Sequence, residues 1–141
     1  MKTILIFLFI TIFTTIYGQQ IDTTIRTTVV PKENYGDKIY ESFACDEKPS
    51  FPGGDSQLIK YISENTRYPN TEADVEGTVY IKFVITKIGE IGQTIVMRTA
   101  DSLLDEEAIR VVKSLPKWEP AKIKGEPVNS WFIVPVKFKM L

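Results

Sequence analysis

No histidine occurs among the 141 residues, and there is a single cysteine, Cys45. Without histidine there is no Ser–His or Cys–His pair to activate a nucleophile and no imidazole to ligate a metal. One cysteine cannot close an internal disulfide. Positive charge is not in excess either: 17 Lys and Arg face 18 Asp and Glu, for a net charge of −1. A phosphate backbone would find no surplus of cations, so the chain is not a general nucleic-acid binder. Internal repeats and like-charge runs are also missing. What remains is a chain of ordinary single-domain length, 43% hydrophobic and 25% charged, long enough to build one core.

The N-terminus reads as an address. Met1-Lys2 precedes an apolar run from Ile4 to Tyr17, interrupted by Thr11, Thr14 and Thr15, and Gly18-Gln19-Gln20 follows. A basic start, a short apolar stretch and a small residue before a polar turn are the pattern of a secretory signal, residues 1–18, cleaved after Gly18. The alternative is an uncleaved inner-membrane anchor at residues 3–17. A spanning helix needs about 20 apolar residues, which this run does not supply. No cysteine follows it to carry a lipid. In an exported compartment Cys45 would be either a small buried side chain or half of an intermolecular bridge, the former being the plainer reading.

Residues 19–48 form a polar leader, Thr-rich and without sustained period up to residue 37, with one short edge strand at Ile39 to Cys45. A domain occupies 49–141. Phe51-Pro52-Gly53-Gly54 is a turn, and Asp55 is placed to cap a helix whose Leu58, Ile59 and Ile62 share a face and which ends before Tyr68-Pro69. From Gly77 a strand alternates Val79, Ile81, Phe83 and Ile85 against Thr78, Tyr80, Lys82 and Thr86, with Val84 adding apolar surface to the second face. Lys87-Ile88-Gly89-Glu90 turns it back into a strand from Ile91 to Thr99, with Ile91, Ile95 and Met97 inward. Ser102 and Asp105 form a capping box for a helix carrying Leu104, Ala108, Val111, Val112 and Leu115 at helical spacing and stopped by Pro116. A polar turn at 124–127 leads to a last strand, Asn129 to Lys139, with Phe132, Val134, Val136 and Phe138 inward. Proline cannot donate to a ladder, so Pro135 marks this strand as a sheet edge. The expectation is α+β: an antiparallel sheet of about three strands with two helices packed on one face.

Catalytic constellations do not emerge. Asp105, Glu106 and Glu107 diverge around the helix axis and suit the positive end of its dipole. Gly53-Gly54 lacks the Lys-Ser/Thr of a phosphate loop. Lysines 113, 117, 122 and 124 are interrupted by Glu119 and form a solvated face. Trp118, just after a helix, is a core plug. Trp131, on the outer face of an edge strand, is divided evenly between packing and partner contact. The chain is therefore read as a non-enzyme with no cofactor, metal or small-molecule substrate.

Phe51-Pro52-Gly53-Gly54, Tyr68-Pro69, the strand Gly77 to Phe83, Leu104-Asp105-Glu106-Glu107-Ala108 and Pro116-Lys117-Trp118-Glu119-Pro120 come in an order that resembles the C-terminal domain of TonB energy transducers, in the variant common in Bacteroidetes, over residues 49–140. The resemblance implies a periplasmic domain acting in TonB-dependent transport. Such a domain captures an extended peptide, the TonB box, from an outer-membrane transporter by adding it as a strand. Carried onto this sequence, it implies a pairing edge at Asn129, Ser130, Trp131, Phe132, Ile133, Val134, Pro135 and Val136. Asn65, Thr66, Arg67, Tyr68 and Pro69 would lie alongside. The leader departs from a transducer's long Pro-rich spacer, since residues 19–50 reach at most about 110 Å, and a chain freed of its anchor cannot transmit force. The alternative is a stand-alone assembly module of the cell envelope, such as an edge-paired homodimer.

Overall fold

Alternating apolar residues from Gly77 to Ile85 generate the central strand of the fold. The computed structural model describes residues 38–69 and 75–139; the signal segment at 1–18 and the leader to residue 37 lie outside the described residues. The strands are β1 (Ile39–Glu41), β2 (Gly77–Ile85), β3 (Ile91–Arg98), β4 (Ala121–Ile123) and β5 (Glu126–Phe138), and the helices are α1 (Asp55–Asn65) and α2 (Ser102–Lys113). The main sheet runs β1-β5-β2-β3, with β4 pairing on β5. α2 lies over β2 and β3, and α1 over β5. The α+β layering is as expected, but the sheet has five strands rather than three, and β1 runs parallel to β5. The edge strand expected at Ile39 to Cys45 is β1, shortened to Ile39–Glu41; β4, at three residues, leaves too little alternation to be seen in sequence.

One core joins the layers: Val79, Ile81, Phe83 and Ile85 from β2, Val134, Val136 and Phe138 from β5, Leu58 and Ile62 from α1, and Leu104, Ala108, Val111 and Val112 from α2. Each large side chain so buried contributes roughly 1.5–3 kcal/mol before entropy is counted. Val84, on the opposite face of β2, is also fully buried.

Several local expectations are corrected. Ile59 is 66% exposed, not part of the inward face with Leu58 and Ile62, because it lies about 100° round the helix from Leu58. Asp55 is the first helical residue and Gly54 the cap, with no side-chain cap bond. On α2 the cap is Asp101, whose carboxylate accepts from the Leu103 amide, and Ser102 is already helical. Inward from β3 come Thr94 and Val96, opposite Phe83 and Ile81, not Ile95 and Met97. Two register shifts, at Tyr80/Ile81 and Phe83/Ile85, each place an extra residue in β3, and every such bulge reverses the alternation beyond it. The expected turn at 124–127 shrinks to Lys124-Gly125, with φ of 51° and 78°. This two-residue link pairs β4 with the start of β5.

Trp118 is 3% exposed, as expected of a core plug. Its ring meets Phe132, Phe51 and Phe83 edge-on at 4.9, 5.4 and 5.9 Å between centroids. Its amide donates to Gly89 O at 2.8 Å, which pins the β2–β3 turn onto the aromatic cluster. Gly89 has φ of 83°, and a Cβ there would stand 2.0 Å from Trp118 O. Gly125 shares the positive φ, but nothing lies within 4 Å of its added Cβ. Gly89→Ala is expected to cost about 1–3 kcal/mol more than Gly125→Ala. Urea midpoints of the two variants check this, and equal losses would refute the clash.

Candidate functional site

β5 is the longest strand, at 13 residues, and its two flanks differ. On one side β2 covers it continuously from Ser130 to Phe138. On the other, β1 pairs with Asn129, Ser130 and Trp131; β4 pairs with β5 only ahead of these, at Glu126 to Val128. From Phe132 to Phe138 no strand occupies that second flank among the described residues. The expected edge is thus corrected at its start: Asn129, Ser130 and Trp131 are already taken by β1, and Phe132, Ile133, Val134, Pro135 and Val136 are open. Pro135, opposite Tyr80, falls inside the open stretch, where a missing donor is tolerated. Every second residue there aims its main-chain groups outward, and Pro135 has a C=O but no N–H to offer.

Among the described residues no strand pairs with the outer flank of β3 either, but its two bulges break the regular spacing that a guest ladder needs. Opposite β2, β5 keeps unbroken register along its length. Of the two rims, the β5 stretch is the better template.

Two features hold β1 in place. Glu41 Oε1 lies 2.7 Å from Lys82 Nζ, and the same ammonium stands 5.0 Å above the Trp131 ring. β1, β2 and β5 are thereby stitched together on the helix-free face, with cation–π attraction supplementing the ion pair. Trp131 is engaged in packing by this contact. Asn129 is 3% exposed, and its Oδ1 accepts from the Lys87 amide at 2.8 Å, so this side chain braces the β2–β3 turn. Cys45, expected to be buried, is half-buried and free; burial, and then Asp46, raise its thiol pKa.

The second predicted group, Asn65 to Pro69, is tied to α2. Asn65 O accepts from Arg110 Nη2 at 2.7 Å, and the Arg67 amide donates to Glu107 Oε1 at 2.7 Å. Thr66 Oγ1 donates to Ile62 O at 2.5 Å, closing α1. Tyr68 is partly buried against the core, and its hydroxyl donates to Val75 O. Pro69 is half-exposed. Glu107 is the hub: its carboxylate takes Arg110 Nη2 at 2.6 Å and Nε at 2.7 Å. Hydrogen bonding from Arg110 and from the Arg67 amide holds the Glu107 carboxyl below its ordinary value, against the opposing effect of partial burial.

The sequence reading missed β1 as the cover of Asn129 to Trp131. The available signal was the Lys124-Gly125 pair, a two-residue hairpin link that would have started the last strand earlier. No group of three or more Cys, Asp or Glu able to hold a metal is present among the described residues. No helix among them is long and apolar enough to cross a membrane.

Comparison with known proteins follows the same line. The sequence model for the Gram-negative bacterial TonB protein C-terminal matches residues 64–140. Two solution structures of the Helicobacter pylori TonB C-terminal domain are similar. The first, of residues 194–285, has a TM-score of 0.47 at 21% identity, covering 60% of this chain and 90% of that one. The second, of residues 179–285, has a TM-score of 0.42 at 23% identity, covering 64% and 89%. No curated protein matches.

The depressed pKa of Glu107 sets a pH dependence. A carboxyl whose folded pKa lies below its unfolded value stabilises the fold above the unfolded pKa, about 4.3, and loses that contribution as pH falls through the folded value. Glu107→Gln is therefore expected to lower the urea midpoint at pH 7 and to shrink the drop in midpoint between pH 7 and the acid side of that window. An unchanged drop would show that the Glu107 clamp contributes nothing.

Proposed function

The chain belongs to the family of Gram-negative bacterial TonB protein C-terminal domains, and on that footing we propose that it captures the TonB box of an outer-membrane transporter as an added strand on β5. The family acts in TonB-dependent transport. The observation that supports strand addition is the open flank from Phe132 to Phe138. Along Phe132, Ile133, Val134, Pro135 and Val136 every second residue turns its main-chain groups to that flank, Pro135 contributing an acceptor and no donor, and Asn65 to Pro69 brace the helical layer above them. Main-chain hydrogen bonds give affinity to such a complex, and alternate side chains give selectivity. The role is binding rather than catalysis.

Titration of the isotope-labelled mature chain with TonB-box peptides from the same organism's transporters tests the reading. Amide shifts and exchange protection should concentrate between Phe132 and Phe138 and spare Asn129 to Trp131. Alternate N-methylation of the peptide should weaken binding about fivefold per lost hydrogen bond. Shifts confined to any other surface would sink strand addition.

Residues 1–18 direct the chain to the periplasm and are removed, so the mature protein binds without transmitting force from the inner membrane. Mass spectrometry of the exported protein should find Gln19 at its N-terminus. Retention of Met1 in the membrane fraction would instead identify residues 3–17 as an anchor. Self-pairing of two β5 edges is the second reading, favoured by the same open flank, and sedimentation that shifts with concentration would support it.

A further inference from the structure

The open stretch of β5 offers backbone, and backbone alone does not choose a sequence. The exposed large apolar side chains among the described residues are Phe43, Ile59, Tyr80, Ile88, Met97, Leu103 and Ile133. Three of them, from three different elements, surround the open stretch.

Phe43 stands at its head. β1 pairs Ile39 with Asn129, Tyr40 with Ser130 and Glu41 with Trp131, so one more step in the same direction would bring Ser42 beside Phe132. Instead the chain leaves the sheet in a 3-10 turn, Ser42–Ala44, which still lies against β5. Phe43, within that turn, is 79% exposed. A guest strand on the open flank is collinear with β1 and must stop at this turn. The row available to it is about seven residues, roughly 23 Å.

Ile59 flanks the helical side. Tyr61 Oη donates to Ser114 O at 2.7 Å, and Asn65 O accepts from Arg110, so that flank of α1 faces α2. Ile59 lies about 160° round the axis from Tyr61, on the flank away from α2. Because α2 covers β2 and β3 while α1 covers β5, the flank carrying Ile59 overhangs the position of a strand added outside β5. Ile133, 48% exposed, lies on the opposite face of the sheet beside exposed Pro135. Charge adds a direction: after Glu126 the sequence contains no further acidic side chain and two lysines, Lys137 and Lys139. Neither lysine has a carboxylate partner among the described residues.

We propose that Phe43, Ile59 and Ile133 read the side chains of the captured strand. The segment they select is an extended stretch of a partner protein with apolar residues on both faces near Phe43 and an acidic residue at the Lys137–Lys139 end. The Ser42–Ala44 turn is the stop that sets its register. This rests on strand addition at β5 and adds the chemistry of the guest to it.

Binding of fluorescein-labelled TonB-box peptides to the mature chain, read by anisotropy alongside amide protection, tests the proposal. Phe43→Ser, Ile59→Ser and Ile133→Ser should each weaken binding roughly tenfold. Ile88→Ser, Met97→Ser and Leu103→Ser, whose side chains are exposed away from this edge, should change it little. All six sites are substantially solvated, and thermal melts confirm that each variant folds. Moving the acidic residue to the peptide's other end should weaken binding and reduce its salt dependence. If the non-proline amides between Phe132 and Phe138 gain protection in the wild type but the first three variants behave like the second three, side-chain reading by these residues is overturned and strand addition stands. If those amides are never protected, both are overturned.

Discussion

All nine residues of β2 pair with β5, from Gly77 opposite Phe138 to Ile85 opposite Ser130. Everything else in the structure depends on this ladder. It is antiparallel, without a shift, and buried on the helical side by Val79, Ile81, Phe83, Val134, Val136 and Phe138. A one-residue slip would turn that whole set of side chains to the other face, so burial fixes the register. Once β5 is so placed, its second flank is the surface on which partners compete. β1 takes Asn129 to Trp131, and the stretch from Phe132 is left over.

The parts of this arrangement that could be read from sequence are those whose signals are long. Leu104, Ala108, Val111 and Val112 recur along α2, Leu115 follows just past its end at Lys113, and all five are buried. The alternation on β2 is likewise reproduced residue for residue. What escaped was short or locally irregular. β4 is three residues long, and the edge strand expected from Ile39 to Cys45 keeps only Ile39–Glu41 as β1; the pairing of both depends on β5 being already in place. The bulges in β3 reversed Ile95 and Met97 because periodicity assumes an unbroken count. At α2, Asp101 and Ser102 are both competent caps, and sequence does not rank adjacent candidates of similar strength.

The edge itself was half legible. Pro135 told that part of the last strand lacks a neighbour, since a proline inside a fully paired strand would leave an acceptor unmatched. A single proline reports only on its own surroundings. It carried no information about Asn129 to Trp131, where the Glu41–Lys82–Trp131 contact holds β1 in place. Asn65 to Arg67 were placed by family resemblance, and their main-chain groups close the gap between α1 and α2 through Glu107 and Arg110. Such contacts join residues about 40 positions apart and leave no local pattern behind.

Phe132 is both the first open residue of β5 and a member of the ring cluster around Trp118, at 4.9 Å from it. The rim is thus joined at its upstream end to the buried ring cluster, and to the Gly89 turn through the Trp118 amide. A peptide laid along it would meet a surface already in its final shape. The disorder surrendered on docking would then fall on the visitor rather than the host, and whatever rigidity the visitor brings of its own would translate directly into tighter and longer-lived attachment.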